Sequence, residues 1–464
     1  MRGCSRWNSA GGLPETSNCY CHPGRAGGSP AYARPPHLQR ASAARRRETR
    51  RHRHHGRPDR RHRRRRRRVG ARQDRRRGRL VTESFVNPDL HLCKVWTLPM
   101  MNEAALAAYH GADMGKALGA INLASAIKAK YDAAWIAPNA RRAAALAALH
   151  GVLHIRAFAD VDSKARLEGV KALIAVREEF RGVVDIQVVA FAQDGVVKEP
   201  GADRLMEEAM ALGADVVGGI PWIEFTDDDA REHIAFRFDL AAKHDADVSM
   251  LLDDAGDPSL RTLEMVATET LRRGWSGRAL AHHCRAMALY PALYLQRLSR
   301  VLRKAQISVV SDPPTGPLHA RVKDLLDEGI NVCLGQDDIS DAYYPFGRNN
   351  MLEVAFLAAH LLWMTGRDDI ERLYDMATVA GAEAMNVPNH ALAVGADANL
   401  VVLGEPDVVE ALRFHAAPRH VVSHGRRVDL ARMQELARAA GRAAGSREPQ
   451  MTNRAGAPTG NLFE

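Results

Sequence analysis

Eight short runs of β-branched and other apolar residues alternate with longer amphipathic helical patterns from residue 84 onward, and this alternation strongly constrains the fold. The predicted strands lie at 84–92, 152–160, 185–192, 215–221, 247–252, 279–284, 307–311 and 331–335. Strands that are each followed by a helix form a parallel sheet. Eight units in about 255 residues fit a TIM barrel. A doubly wound sheet is disfavoured, because no G-x-G-x-x-G turn follows a strand.

Residues 1–80 differ in composition from the rest of the chain. They contain 25 arginines, no lysine and 4 acidic residues, a net charge of +21 against +10 for the whole chain. Such a segment buries too little apolar surface to offset its backbone entropy, so we predict disorder. Nucleic-acid binding is an alternative function, but the segment lacks lysine and interleaved aromatic residues. The composition instead suggests non-native sequence, such as a GC-rich gene read in the wrong frame.

The body of the chain has the composition of a soluble protein. Its three cysteines, Cys93, Cys284 and Cys333, are scattered and indicate neither a disulfide framework nor a zinc ribbon. It has no apolar run of eighteen residues and no secretory leader pattern. We therefore expect no membrane partner and a reducing, cytoplasmic location. A homo-oligomer is one assembly that the sequence allows.

Polar residues follow the predicted strands, where a TIM barrel places its active site. Asp89 and His91 are two apart on one strand, so they point to the same face and can reach one ion. Singly, such residues are often helix caps or structural hydrogen-bond partners. The convergence of His, Asp and Gln residues at five strand ends indicates a functional site. The set comprises Asp89, His91, Gln193, Asp194, Asp253, Asp254, His282, His283, Gln336, Asp337 and Asp338, with Trp222 and Glu224 after strand four.

The order of these residues resembles the cytosine-deaminase-like branch of the amidohydrolase superfamily, from residue 82 to about 430. The string ESFVNPDLHL at 83–92 is similar to the family's first-strand PHxHL motif. Further matching strings are FAQDG at 191–195, GADVVGGIP at 213–221, GINVCLGQDD at 329–338 and YPFG at 344–347. The resemblance implies a hydrolase of non-peptide C–N bonds that deaminates a cytosine-like or other heterocyclic amidine. It also implies one divalent ion, zinc or iron, that activates water.

The resemblance also implies roles for individual residues. The expected metal ligands are Asp89, His91 and Asp337, the expected catalytic residues are Asp254 and His283, and the expected substrate-binding residues are Gln193, Trp222 and Tyr343. Asp254 would carry the proton to the leaving nitrogen.

Four positions depart from the family pattern. Asp89 stands in place of the first histidine, Leu251 in place of the strand-five histidine, and Gln336 in place of a strand-eight histidine. Asp254 stands in place of the proton-shuttling glutamate, with a side chain one methylene shorter. Two imidazoles and two carboxylates remain, those of His91, His283, Asp89 and Asp337. They are enough to bind one divalent ion that keeps an open coordination position. The alternative is an inactive relative that keeps the barrel.

The resemblance divides the chain after the leader into three parts. The barrel is expected at 81–388, with helices at 348–366 and 368–384 after the last strand. Strands at 393–403 and 418–428 would form half of a small flanking β-sandwich at 389–430. Because the leader occupies the place of the other half, an unpaired sheet edge is expected. A helix and a disordered tail would follow at 431–464.

Overall fold

The computed structural model describes residues 72–74, 79–101, 121, 125–439 and 462. The predictions for residues 1–71 and 75–78, and those for the tail beyond residue 439 except residue 462, lie outside the described residues. Within the described part of the chain, no helix is long and apolar enough to cross a membrane.

Eight parallel strands form the main sheet, and neighbours in the chain are neighbours in space. Each observed strand lies inside its predicted range, so the prediction of a TIM barrel is confirmed. The strands, called barrel strands one to eight, are Phe85–Leu90, Val152–Asp160, Asp185–Phe191, Val216–Gly219, Asp247–Leu252, Ala279–His283, Ser308–Ser311 and Val332–Leu334.

Backbone hydrogen bonds close the barrel between strand one and the segment after strand eight. The amide of Asp337 donates to the carbonyl of Asp89, and the amide of His91 donates to the carbonyl of Asp337, both at 2.8 Å. Closure of the barrel therefore brings together the backbones of the three predicted metal ligands, although they are far apart in sequence.

Helices follow most barrel strands, and local sequence sets several of their ends. Thr226 begins a helix with a capping box, in which its hydroxyl accepts from the Asp229 amide and the Asp229 carboxylate accepts from the Thr226 amide. The helices are Ala133–Leu149, Glu168–Glu179, Ala202–Leu212, Asp227–His244, Thr262–Arg272, Ala292–Ala305, Val322–Asp327, Met351–Leu361, Arg367–Met376, Val379–Ala384, Val408–Phe414 and Leu430–Ala439.

The helix predicted at 368–384 is two helices in the structure. Arg367–Met376 and Val379–Ala384 are separated at Thr378, whose hydroxyl donates to the carbonyl of Tyr374 at 2.8 Å. A threonine hydroxyl that bonds to the preceding turn bends or interrupts a helix. The continuous prediction was therefore wrong at this point.

A separate antiparallel sheet flanks the barrel. Its strands, in spatial order, are Arg72–Asp74, Arg79–Glu83, Leu400–Val402, His420–Ser423 and Arg426–Arg427. Thr82 pairs with Val401, which pairs with Val421 on its other side. The expected unpaired edge at Leu400–Val402 is therefore covered.

The end of the arginine-rich leader supplies these covering strands. Leu80 and Thr82 are buried while the residues between and beside them are half-buried, which is the period of a strand with one face on the core. The strand Arg79–Glu83 therefore overlaps the predicted end of the leader at residue 80. The alternation is short and flanked by arginines, so composition concealed it.

Candidate active site

Carboxylates and imidazoles from several strand ends meet at the mouth of the barrel. Nε2 of His91 lies 3.6 Å from Oδ1 of Asp337, and Nε2 of His283 lies 3.9 Å from the same oxygen. Asp89, His91 and Asp337 each offer a ligand atom, and these three atoms lie within 4.8 Å of one another. Oδ1 of Asp89 and Nδ1 of His91 are buried and have no hydrogen-bond partner in the described structure. These donors fit one divalent ion.

The backbone at this cluster is strained. His283 and Asp337 have φ angles of 63° and 64°, in the left-handed region that residues with a Cβ rarely adopt. Such conformations cost about 1–3 kcal/mol each and persist where the surroundings enforce them. At Asp337 the closing hydrogen bonds of the barrel supply that constraint.

A hydrogen-bonded chain orients Asp89. Nδ1 of His282 lies 2.7 Å from Oδ2 of Asp89, and Nε2 of His282 lies 2.6 Å from the hydroxyl of Ser249. Burial lowers the pKa of His282. When Asp89 is ionised, Nδ1 of a neutral His282 donates to it and Nε2 accepts from Ser249. Burial, followed by the charges of Asp337 and Asp338, raises the pKa of Asp89 well above its usual range. A nearby cation would oppose that rise.

Arg285 links the predicted catalytic carboxylate to the metal-ligand cluster. Its guanidinium donates to Asp254 and to the hydroxyl of Thr315, and it lies 3.7 Å from Oδ2 of Asp337. Burial raises the pKa of Asp254 to about 6, although Arg285 opposes the shift. A carboxyl group that titrates near neutrality can both take up and release a proton. No sequence pattern distinguished Arg285 from other arginines.

The predicted substrate-binding residues Gln193 and Tyr343 lie side by side. Nε2 of Gln193 donates to the Tyr343 hydroxyl at 3.1 Å, and Nζ of Lys94 donates to Oε1 of Gln193 at 3.3 Å. Nζ of Lys94 also lies 4.5 Å from the centre of the Tyr343 ring. Together they line a pocket whose other lining residues are Thr97, Ile127, Lys128, Tyr131, Asp160 and Ala342.

An apolar wall stands beside this polar pocket. The third predicted substrate-binding residue, Trp222, is buried in one cluster with Phe158 and Phe191, and Tyr343 packs against that cluster. The ring centres of Phe158 and Phe191 lie 5.1 and 5.4 Å from that of His91. The indole Nε1 of Trp222 has no hydrogen-bond partner in the described structure.

Leu251 belongs to the same apolar cluster and is 4% exposed. Ser249 on the same strand points into the barrel, because it bonds to His282. Leu251 is two residues further along, so it faces the same side, one layer closer to the mouth. Leucine therefore lines the barrel interior at the position where the resemblance implies an imidazole.

Two of the polar residues at strand ends serve the scaffold. Glu224 lies 2.7 Å from Nδ1 of His233 and accepts from the amide of Val196. Asp253 accepts from the hydroxyl of Tyr290 at 2.6 Å and from the amide of Thr262 at 2.7 Å. Their carboxylates are occupied in holding loops and a helix end.

Besides Arg285, two further charged residues near the site were not predicted from the sequence. Asp312 directly follows barrel strand seven, and its Oδ2 lies 3.3 Å from Nδ1 of His283. Its position at a strand end was a usable signal. Lys128 is buried between Asp162 and Asp194, at 2.9 and 2.7 Å, and lies in a short 3-10 helix with no strand pattern to reveal it.

Comparison with known proteins identifies the family. Residues 77–429 match the amidohydrolase family. The chain belongs to this family. N-isopropylammelide isopropyl amidohydrolase from Pseudomonas sp. (strain ADP) is 31% identical over 288 residues, which are 60% of this chain and 69% of that protein. The family resemblance inferred from the sequence is therefore confirmed.

Solved structures of amidohydrolase relatives agree with the fold. The 5-methylcytosine deaminase from Klebsiella pneumoniae liganded with phosphonocytosine has 32% identity and a TM-score of 0.70, over 76% of this chain and 87% of that one. N-isopropylammelide isopropylaminohydrolase from Burkholderia multivorans has 25% identity and a TM-score of 0.68, over 75% and 86% of the two chains.

Proposed function

We propose that this amidohydrolase hydrolyses a non-peptide C–N bond of a small nitrogen heterocycle, such as a cytosine-like aminopyrimidine. The observation that carries the proposal is the buried cluster of Asp89, His91 and Asp337, whose ligand atoms lie within 4.8 Å of one another at the barrel mouth. Relatives that act on 5-methylcytosine and N-isopropylammelide support a heterocyclic substrate.

The three residues of the cluster would hold one divalent ion, zinc or iron. When bound, such an ion supplies Lewis acidity that makes a water molecule a better nucleophile near neutral pH. The chain supplies the proton transfer. Asp254, whose pKa is raised to about 6 by burial, accepts the proton from water and passes it to the leaving nitrogen. His283, whose Nε2 lies 3.9 Å from Oδ1 of Asp337, would hydrogen-bond to that water.

The side chains near the cluster offer groups that would recognise a flat heterocycle with an amide-like edge. Gln193 offers a carbonyl oxygen and an amide N–H group, and Lys94 and Tyr343 hold its side chain in place. Trp222 and its apolar neighbours would pack against the face of the ring. Polar protein groups at one edge of the ring and apolar side chains against its face would select both the shape of the substrate and its orientation.

One observation favours the second candidate, an inactive relative. Leu251 cannot coordinate an ion, and it packs in an apolar cluster where the resemblance implies a histidine ligand. The site would then have fewer nitrogen donors than its active relatives. An assay must therefore be able to detect weak activity.

The test uses the full chain supplied with Zn²⁺ or Fe²⁺ and measures release of ammonia or amine from cytosine, 5-methylcytosine and N-isopropylammelide. We expect turnover of at least one compound, lost in His91→Asn. Asp254→Asn should lower kcat by about 10²–10⁴-fold, the usual contribution of general acid–base catalysis. If no compound is hydrolysed faster by the wild type than by His91→Asn, the inactive alternative is correct for these substrates.

A further inference from the structure

Asp312 has an environment that the proposed single-ion site does not explain. Both of its carboxylate oxygens are buried and lack a hydrogen-bond partner in the described structure. Nδ1 of His283 is 3.3 Å from Oδ2, but it also lacks a hydrogen bond. An isolated buried carboxylate is costly unless a proton, a partner or a metal satisfies it. The position of Asp312 therefore suggests that it has a ligand.

A second cluster of potential metal ligands surrounds Asp312. Asp89, His283 and Asp312 each offer a ligand atom, and the three atoms lie within 4.8 Å of one another. Gly335 makes this approach possible, because a Cβ at that residue would lie 2.1 Å from Oδ1 of Asp312 and 2.7 Å from Cβ of Asp89. A larger residue at this position would force the two aspartates apart.

We propose that Asp89, His283 and Asp312 bind a second divalent cation beside the ion held by Asp89, His91 and Asp337. The proposal rests on the proposed function for the first ion and assigns a second one to the same site. Asp89 belongs to both clusters, and a carboxylate has two oxygens that can contact different ions. Ions in two-metal sites lie about 3.5–4 Å apart, which one carboxylate can bridge.

Three buried carboxylates meet at this place, those of Asp89, Asp312 and Asp337. Arg285 lies 3.7 Å from Oδ2 of Asp337 and donates to the carboxylate of Asp254. A bound cation favours the ionised form of a neighbouring carboxylate. Two divalent ions would therefore allow the three carboxylates to be ionised together.

The bridging role also accounts for the aspartate at position 89. A histidine offers one ligand atom to one ion, whereas an aspartate can serve two ions at once. The second cluster has two carboxylates and one imidazole, a set that suits Mn²⁺ as well as Zn²⁺. Manganese is therefore the probe of choice, because it is paramagnetic.

The experiment measures metal content and the electron paramagnetic resonance spectrum of the full chain after loading with Mn²⁺ and removal of free metal. We expect about two ions per chain in the wild type and an exchange-coupled spectrum, because bridged ions lie about 3.5–4 Å apart. Asp312→Asn should halve the metal content and give the spectrum of isolated Mn²⁺. Asp254→Asn is the matched control, since this buried aspartate belongs to neither cluster, and it should keep both ions.

The outcomes separate the second ion from the first. One ion per chain that is kept in Asp312→Asn and lost in His91→Asn would overturn the second site and leave the proposed function standing. No bound metal in the wild type would overturn both. Circular dichroism of each variant in EDTA shows whether it folds. The wild-type spectrum tests the proposal even if Asp312→Asn does not fold, because uncoupled Mn²⁺ there would refute a bridged pair.

Discussion

Replacement of Arg285 by methionine tests the electrostatics of the site with a result that depends on pH. The guanidinium donates to Asp254 and Thr315 and lies 3.7 Å from Oδ2 of Asp337. Methionine fills similar space without charge. Asp254 then remains in a fully buried position without its cationic partner, and must either stay ionised at a high cost or take up a proton.

The magnitude follows from the pKa of Asp254, which burial raises to about 6. A raised carboxyl pKa favours the neutral form in the folded state, so its stabilising effect is complete below the unfolded value of 3.8 and is lost as pH rises through about 6. Without Arg285 the folded pKa is higher still, and the protein must bind a proton above pH 6. At pH 8, about two units above the wild-type pKa, binding that proton costs about 3 kcal/mol of stability, since each pH unit contributes about 1.4 kcal/mol.

The assay is urea unfolding of the metal-free wild type and Arg285→Met between pH 5 and pH 8. We expect the loss of stability to grow by about 2–3 kcal/mol across this range, as Asp254 becomes ionised in the wild type. The same substitution in an Asp254→Asn background isolates this carboxylate from Asp337, and should show a much smaller pH dependence. A loss that is constant with pH, or unchanged in the Asp254→Asn background, would refute the reasoning.

Three further changes test other parts of the structure. Leu251→His should lower the melting temperature without metal, because it gives up about 1.5–3 kcal/mol of apolar burial, and should increase the stabilisation by Zn²⁺; an equal shift in Leu251→Asn would contradict a ligand role. Gln193→Leu should raise KM for a heterocyclic substrate at least tenfold, whereas Tyr343→Phe should have a smaller effect; steady-state kinetics distinguish them. Thr226→Ala should cost about 0.5–2 kcal/mol in urea unfolding through loss of the capping box, with no change in metal content.

The barrel was predictable from sequence because its signal repeats. Eight apolar runs give the same interpretation, and an error in one boundary does not alter the topology. The flanking sheet was harder, because Arg79–Glu83 has two buried side chains on a five-residue strand beside an arginine-rich segment. Short strands whose partners are more than 300 residues away carry little local information.

The candidate site also contains residues that the sequence predicted and residues that it did not. Asp89 and His91 were found from their spacing on one strand, and Asp337 was found from its place after another. Arg285 and Lys128 became visible only through their contacts, since a buried cation has no periodic pattern of its own. The partners of a buried charge are set by tertiary packing, which the sequence does not encode locally.

The departures from the family pattern change the metal chemistry of the site in one direction. Asp89 and Leu251 each remove an imidazole, while Asp312 adds a carboxylate within reach of His283. Nitrogen ligands favour zinc over manganese more strongly than oxygen ligands do. We therefore expect Asp89→His to increase the ratio of bound Zn²⁺ to bound Mn²⁺ in competitive dialysis, and to lower the total metal content because a bridging carboxylate is lost. If both the ratio and the total match the wild type, Asp89 is not a metal ligand, and its hydrogen bond from His282 is its whole role.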